Sequence, residues 1–370
     1  MGLQSIIEKS EFTNFLQCGA ILQLEPDQFK LIWGPFHALT IHIEELEDEI
    51  TAIYKPQFWD FISNNPTADS TFVGTRQKIL NRQQLLECLQ MMTGSAPVIN
   101  WEAPAEAQFQ KQFQWSKYQF SSGDLAKTVP IIYQKGASAY TISHLVHSLT
   151  LLLEGQHFGA TYGYWDQGQG FLGQTPESII KWNPETKVAS TMALAGTLPD
   201  QTEAENAIQL DPKISKEHEI VVDDLSNVVR NTKLPSDVQI QKRQTLKLKY
   251  LVHLLTPILI KNVEFKDTLH LVQAIHPSAA LGLYPRSLEK FKQWNEFQIQ
   301  KERMNFAAPF GFMSKNKVHV IAAIRNFYFN KAGVQIYSGC GVTSESDLNS
   351  ELSELQTKRN SVKKMMGLGE

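Results

Sequence analysis

Three features of the sequence predict an α+β protein built on antiparallel sheet. Strand-like runs at Phe158 to Trp165, Gly170 to Trp182 and Lys187 to Leu194 follow one another, joined by the short turns DQGQ and NPET. Consecutive strands with tight turns pair as an antiparallel meander. Nearer the N-terminus, Ala20 to Trp33 forms a hairpin turning at Pro26-Asp27. Amphipathic segments at Ile142–Glu154, Asp211–Arg230 and Glu345–Met366 supply the helices.

In chain order, short helices are expected at Lys55 to Asn64 and at Arg82 to Met92, the second with Leu85, Leu86 and Leu89 inward. Gly94 to Ala105, rich in small residues and proline, divides residues 1–104 from 105–370. Phe109, Phe113 and Phe120 share one helical face. Lys127 then opens a buried β-run, Thr128 to Tyr133. A desolvated lysine loses its proton more readily and can act as a base; a strand-end lysine reaching solvent is the ordinary alternative. The helix Ile142–Glu154 ends at Gly155. In the meander, Glu177 follows Pro176, which interrupts pairing, and the small residues of Met192 to Leu198 permit close approach of a ligand.

Asp211-Pro212 is an N-cap and first-turn pair. The helix it opens has an apolar stripe of Ile214, His218, Val221, Val222, Leu225, Val228 and Val229, with Glu217 at its margin and Glu219 pointing away. His218 and His253, each inside an apolar pattern, read first as core histidines. Two loops rich in Pro, Ala and Gly, within Leu269–Arg286 and Lys301–Phe312, can bring backbone close to a ligand. Ile321 to Asn330 reads as one strand carrying Arg325, and Val334 to Ser338 as its return. After Gly339-Cys340-Gly341, the last helix sets Leu348, Leu352, Leu355, Val362 and Met366 on one stripe. Glu351, Glu354 and Lys358 lie at the edge of that stripe. Such charges usually form a solvated ladder. Two carboxylates from two helices, Glu217 and Glu354, facing one cavity fit instead a hard divalent cation such as Mg2+.

Composition excludes several classes. Lys+Arg 35 against Asp+Glu 38 gives a net charge of -3, which offers nucleic acid or an anionic membrane surface no attraction. The longest apolar run, Leu251 to Ile260, is too short to span a bilayer and is broken by His253 and Pro257. Three scattered cysteines, Cys18, Cys88 and Cys340, make neither a disulfide framework nor a zinc site. The first residues lack a secretory pattern, so a cytoplasmic protein is expected.

Nine stretches in order, TPESII, ALAGTLP, SKEHEIVVDDL, YLVHLL, IHPSAALGLYPR, KERMNFAAPFGF, AAIRNFY, SGCGV and SELSELQTK, resemble the chorismate-utilising enzymes. These include isochorismate, salicylate, anthranilate and aminodeoxychorismate synthases. The resemblance runs from about Phe109 to the C-terminus and implies one α+β body with a two-sheet antiparallel core flanked by helices, the first 104 residues belonging to it. It matches Glu217 and Glu354 to the Mg2+ carboxylates, with Glu351 as a nearby third acid. Arg325 falls on the arginine that grips the enolpyruvyl carboxylate of chorismate, with Gly339, Gly341 and Lys358 completing that anion site. His253 matches a ring-lining histidine, Glu177 the general acid at the C4 hydroxyl, and Leu194, Ala195, Gly196 and Thr197 a substrate-lining run.

The nucleophile separates family members. Lys127 falls where isochorismate and salicylate synthases place the base that activates water, a position typically glutamine in anthranilate synthases. Ala195 stands where many aminodeoxychorismate synthases carry a nucleophilic lysine, and Ala280 with Pro285-Arg286 resembles the isochorismate synthases. The resemblance therefore implies hydration at C2 by an enzyme that needs no amidotransferase partner, its product serving menaquinone, siderophore or salicylate synthesis. The rival readings are a salicylate synthase, an amine-transferring synthase subunit and a non-catalytic chorismate binder. Ile132, Cys340, Ala308, Ile214 and the run Leu281-Gly282-Leu283 depart from the usual pattern.

Overall fold

A computed structural model of the chain describes residues 7–62, 70–155, 159–200, 204–234, 237–247 and 251–369. Among the described residues all strand pairs are antiparallel, and 17 strands join in one hydrogen-bonded network with a separate two-stranded ladder. The network has two halves. In the first, the hairpin Cys18–Glu25/Gln28–Ala38 extends through Thr71–Leu80 on one side. On the other side it continues through Ala160–Asp166, Gln169–Thr175, Asn326–Phe329, Gly333–Gly339 and Ile131–Ala137 to Asn100–Trp101. The second half runs from Pro309–Ser314 through Lys317–Ala322, Ser178–Asn183 and Val188–Pro199 to Leu251–Lys261. Two short strands, Asp237–Ile240 and Gln244–Lys247, also pair with Leu251–Lys261. The three-residue strand Ala52–Tyr54 bridges the halves, pairing with Thr71–Leu80 and Pro309–Ser314.

The largest core cluster draws on both halves, with Leu22 and Ile32 from one and Ile180, Ile258, Phe310 and Val318 from the other. The helix Pro212–Asn231 packs Val221, Leu225 and Val229 into it. That helix starts where the sequence expects: the Asp211 side chain accepts the Ile214 N–H at 3.0 Å, and Pro212 needs no partner in the first turn. No helix among the described residues is long and apolar enough to cross a membrane.

The structure corrects four local expectations. Lys55 to Asn64 is no helix over its described part: a 3-10 turn at Phe58–Ile62 replaces it, and residues 63–64 lie outside the described set. Pro56 disfavours helix just before it, and the Phe58 N–H goes to Met304 O at 2.9 Å instead of along a helix. The strand-like run Gly170–Trp182 is interrupted at Pro176 as expected, but into two full strands, one ending at Thr175 and the other starting at Ser178. Ile321–Asn330 likewise breaks, between Ala322 and Asn326. In both cases the chain leaves one half of the network for the other, and Pro176 and the left-handed Arg325 (φ 54) sit at the breaks. The last helix begins at Leu348, capped by Asp347, and is turned from the expected face. It buries Glu351, Leu355, Arg359, Val362 and Met366, while Leu348 and Leu352 stay half-buried. Arg359 explains the turn, since its guanidinium reaches inward to Ser338 Oγ at 3.1 Å.

Candidate active site

The two crossings lie side by side. The Ala322 N–H donates to Glu177 O (3.1 Å) and the Gln174 N–H to Arg325 O (3.1 Å). Regular sheet would turn these side chains alternately up and down; breaking it at both crossings puts Glu177 and Arg325 on the wall of one cavity. A third irregularity joins them. Gly196 (φ 79) forms a bulge opposite Leu254 and His253, and a Cβ there would meet Ile214 Cγ2 at 2.5 Å. The bulge re-aims Thr197 so that it pairs with His253.

Lys127, Glu177, Leu194, Ala195, Gly196, Thr197, Glu217, His253, Ala280, Arg325, Gly339, Gly341, Glu354 and Lys358 all line this cavity. Glu351 does not. It lies behind the wall, 4 % exposed, with its carboxylate 3.6 Å from Lys213 Nζ. Burial raises the Glu351 pKa, and the neighbouring charge of Glu354 raises it further.

Lys127 comes from the two-residue strand Lys127–Thr128, which pairs with Leu283–Tyr284 and bridges to Val342. The side chain is 1 % exposed. Its Nζ donates to the Ala279 carbonyl at 2.7 Å and stands 3.4 Å from Glu217 Oε1. Gly341 makes that approach possible, because a Cβ there would sit 2.0 Å from Glu217 Oε1 and 3.0 Å from Lys127 Cε. Glu177 feels three cations, Lys127, Lys358 and Arg325, all pulling its pKa down. Burial outweighs them and pushes the carboxyl up to about 7. A carboxyl poised there is protonated for a large share of the time at neutral pH and can donate.

The other cations form a second group. Arg325 Nη2 leans on His253 Nε2 at 3.5 Å, so that nitrogen accepts and Nδ1 carries the hydrogen given to Thr197 Oγ1 at 3.0 Å. Burial, then Arg325 and Lys358, hold the His253 pKa well below its ordinary value, and the ring is neutral. Burial also lowers Arg325 to about 10 against the pull of Glu354 and Glu177. Lys358 bonds the Gly339 carbonyl at 2.8 Å and Glu354 Oε1 at 2.5 Å. His218 is a core histidine: Nδ1 donates to Ala195 O (3.2 Å), Nε2 accepts from Thr256 Oγ1 (2.8 Å), and burial brings its pKa to about 4.

Among the described residues no group of three or more His, Cys, Asp or Glu is arranged to enclose a metal ion. Magnesium asks for less, one or two carboxylates with water and ligand oxygens filling its octahedron. Glu217 and Glu354 are oxygen donors on the cavity wall, and the missing Cβ of Gly341 leaves Glu217 its room. The donor set fits such an ion.

Several lining residues escape sequence reasoning. Arg303, in the loop expected only to bring backbone close to a ligand, is 2 % exposed with its guanidinium 3.3 Å over the Phe58 ring. It donates to Gln300 Oε1 (2.8 Å) and Phe306 O (3.2 Å). Phe306 and Tyr337, stacked at 5.3 Å, complete that wall. Of the departing residues, Cys340 lines the cavity, Ile214 packs under Gly196, and Ile132 and Ala308 are buried off the wall.

Residues 7–367 match the chorismate binding enzyme family. The chain belongs to that family. The Bacillus subtilis isochorismate synthase MenF is 28 % identical over 220 residues, covering 57 % of this chain and 45 % of the relative. The chain thus spans about half the length of the curated relatives it matches. Bacillus anthracis DhbC, described as a 2,3-dihydroxybenzoate-specific isochorismate synthase, superposes with a TM-score of 0.75 at 18 % identity, covering 96 % of this chain and 97 % of that one. Anthranilate synthase component I of Streptococcus pneumoniae gives a TM-score of 0.67 at 16 % identity, with coverages of 89 % and 83 %. These likenesses share the chorismate-binding fold, including its two-sheet antiparallel core.

Proposed function

We propose that this chorismate binding enzyme is a Mg2+-dependent isochorismate synthase. One observation carries the reading: a buried lysine and a carboxyl of pKa about 7 share one cavity in which the 195 and 280 positions are alanines. Ala195 leaves no nucleophilic side chain at that position, and Lys127, in place of the glutamine of anthranilate synthases, favours water over ammonia as the attacking group.

Bound on Glu217 and Glu354, magnesium would hold the ring carboxylate of chorismate and offset its charge. Arg325 and Lys358, with the backbone of Gly339 and Gly341, would receive the enolpyruvyl carboxylate. Lys127, in its neutral form, takes a proton from water as the oxygen bonds to C2. The ring double bonds shift, the C4–oxygen bond breaks, and Glu177 gives its proton to the departing hydroxyl. One water enters and one leaves, so the product is an isomer of the substrate. Solvent then returns Lys127 and Glu177 to their starting protonation. Acid and base contributions of this kind are each worth roughly 10²–10⁴-fold.

The test incubates the protein with chorismate and Mg2+, with and without ammonium, and resolves the products by chromatography. Isochorismate formed without ammonium supports the reading. Salicylate with pyruvate would make it a salicylate synthase, an aminated product only with ammonium an amine-transferring synthase, and bound but unchanged chorismate a binder.

A further inference from the structure

Lys127 is held by a carbonyl that is itself held in place. Three of the four directions around its nitrogen are taken, by Cε, by the Ala279 carbonyl at 2.7 Å and by Glu217 at 3.4 Å. The fourth is left for the cavity that the side chain lines. Ala279 sits in the connection from the helix Phe265–Ile275 to the short strand Leu283–Tyr284, in a turn closed by the Leu281 and Gly282 N–H groups on the Ser278 carbonyl at 2.9 and 2.8 Å. Asp224, 3 % exposed, ties this turn to the helix Pro212–Asn231. Its Oδ2 accepts the Ala279 N–H at 2.8 Å and Arg286 Nη2 at 2.8 Å, while Oδ1 accepts Arg286 Nε at 2.7 Å. Arg286 gives two further donors to the Ala274 and Ile275 carbonyls, at 2.7 and 2.9 Å. One carboxylate thus ties the middle of the connection to the helix Pro212–Asn231, and one guanidinium joins that carboxylate to the end of the helix Phe265–Ile275. Neither Asp224 nor Arg286 lines the cavity.

We propose that Asp224 and Arg286 are positioning residues that set the Lys127 amine by fixing the Ala279 carbonyl. The inference rests on Lys127 being the base. A forked pair of this kind defines geometry as well as energy, and a base displaced by about 1 Å costs on the order of 100-fold in rate. A pair that merely braced the fold would lower stability without singling out turnover.

The experiment compares Asp224→Asn, Arg286→Lys and Lys127→Gln in the full chain, each checked by its melting temperature and assayed with chorismate and Mg2+. Asp224→Asn keeps the shape and one acceptor, and Arg286→Lys keeps the charge but loses the fork. For Asp224→Asn the expected result is kcat lower by about 10- to 100-fold with KM within about threefold, and a smaller fall in the same direction for Arg286→Lys. Should Asp224→Asn fail to fold, Arg286→Lys decides alone. Wild-type kcat in the folded variants, or a kcat loss matched by an equal rise in KM, overturns the inference. Turnover retained by Lys127→Gln would sink the base assignment itself. An inactive Lys127→Gln beside fully active Asp224→Asn and Arg286→Lys would sink the positioning role alone.

Discussion

Lys127 stands 3.4 Å from Glu217 and against a main-chain carbonyl; Arg325, lining the same cavity, has no described carboxylate within 4.0 Å and leans on a neutral histidine. The two basic side chains, Lys127 buried and Arg325 half-buried, are differently balanced. A buried charge without an acid beside it is costly, and a site retaining one is built for an anion that arrives with the ligand. A lysine already placed between an acceptor and an acid is built to handle protons. Glu177 feels both, together with Lys358, and still keeps its proton up to about pH 7, because desolvation outweighs all three cations. Burial, more than charge count, assigns the roles.

The largest expected effect breaks the first side of this contrast. Lys127→Gln should lower kcat by roughly 10²–10⁴-fold and leave chorismate affinity, read by titration, within a few-fold. A loss of affinity instead would put Lys127 with the anion-binding group. Glu177 comes next. Its carboxyl is raised from 4.5 to about 7, so the folded state binds this proton more tightly than the unfolded one. The stability it contributes is full below about pH 4.5 and is lost as pH rises through about 7. Glu177→Gln should therefore melt higher than the wild type at pH 8, by an amount on the order of 3 kcal/mol, with the gap closing towards pH 5. The same proton makes kcat of the wild type fall on the alkaline side. An equal gap at both pH values would mean that the carboxyl is not desolvated.

Arg325→Met tests the other side. Losing charge-assisted hydrogen bonds worth about 1.5–3 kcal/mol should weaken chorismate binding by about 10- to 100-fold, with a much smaller change in kcat at saturation. Smallest is Thr197→Val, which removes the hydroxyl bonded to His253 Nδ1 at 3.0 Å. It should cost about 1 kcal/mol of affinity and leave kcat unchanged. A kcat loss there would mean that the histidine belongs with the proton-handling group.

Much of the fold and the site is legible in the sequence, and the gaps have a common physical source. The capped helix at Asp211-Pro212, the hairpin at Pro26-Asp27 and the helix Ile142–Glu154 follow from local chemistry and appear where local chemistry puts them. Glu217 and Glu354 can be found because a carboxylate at the margin of an apolar stripe is conspicuous. The break at Pro176 is legible, but the crossings at Glu177 and Arg325 are not. Alternation continues on either side of Glu177 and Arg325, and only pairing with distant strands decides which half of the network each segment joins. The same holds for Arg303 and Asp224, whose burial depends on partners far along the chain, Phe58 and Arg286. Pattern reading sees neighbours in sequence; these residues are defined by neighbours in space.

Oxygen-18 water offers the most direct test of whether a lysine-activated water adds at C2 while Glu177 releases the C4 hydroxyl. Chorismate turned over with Mg2+ in labelled water should give isochorismate carrying one heavy oxygen per molecule, read by mass spectrometry and located at C2. Unlabelled isochorismate would mean that the original hydroxyl migrates within the substrate, and would contradict both Lys127 as the base and Glu177 as the acid.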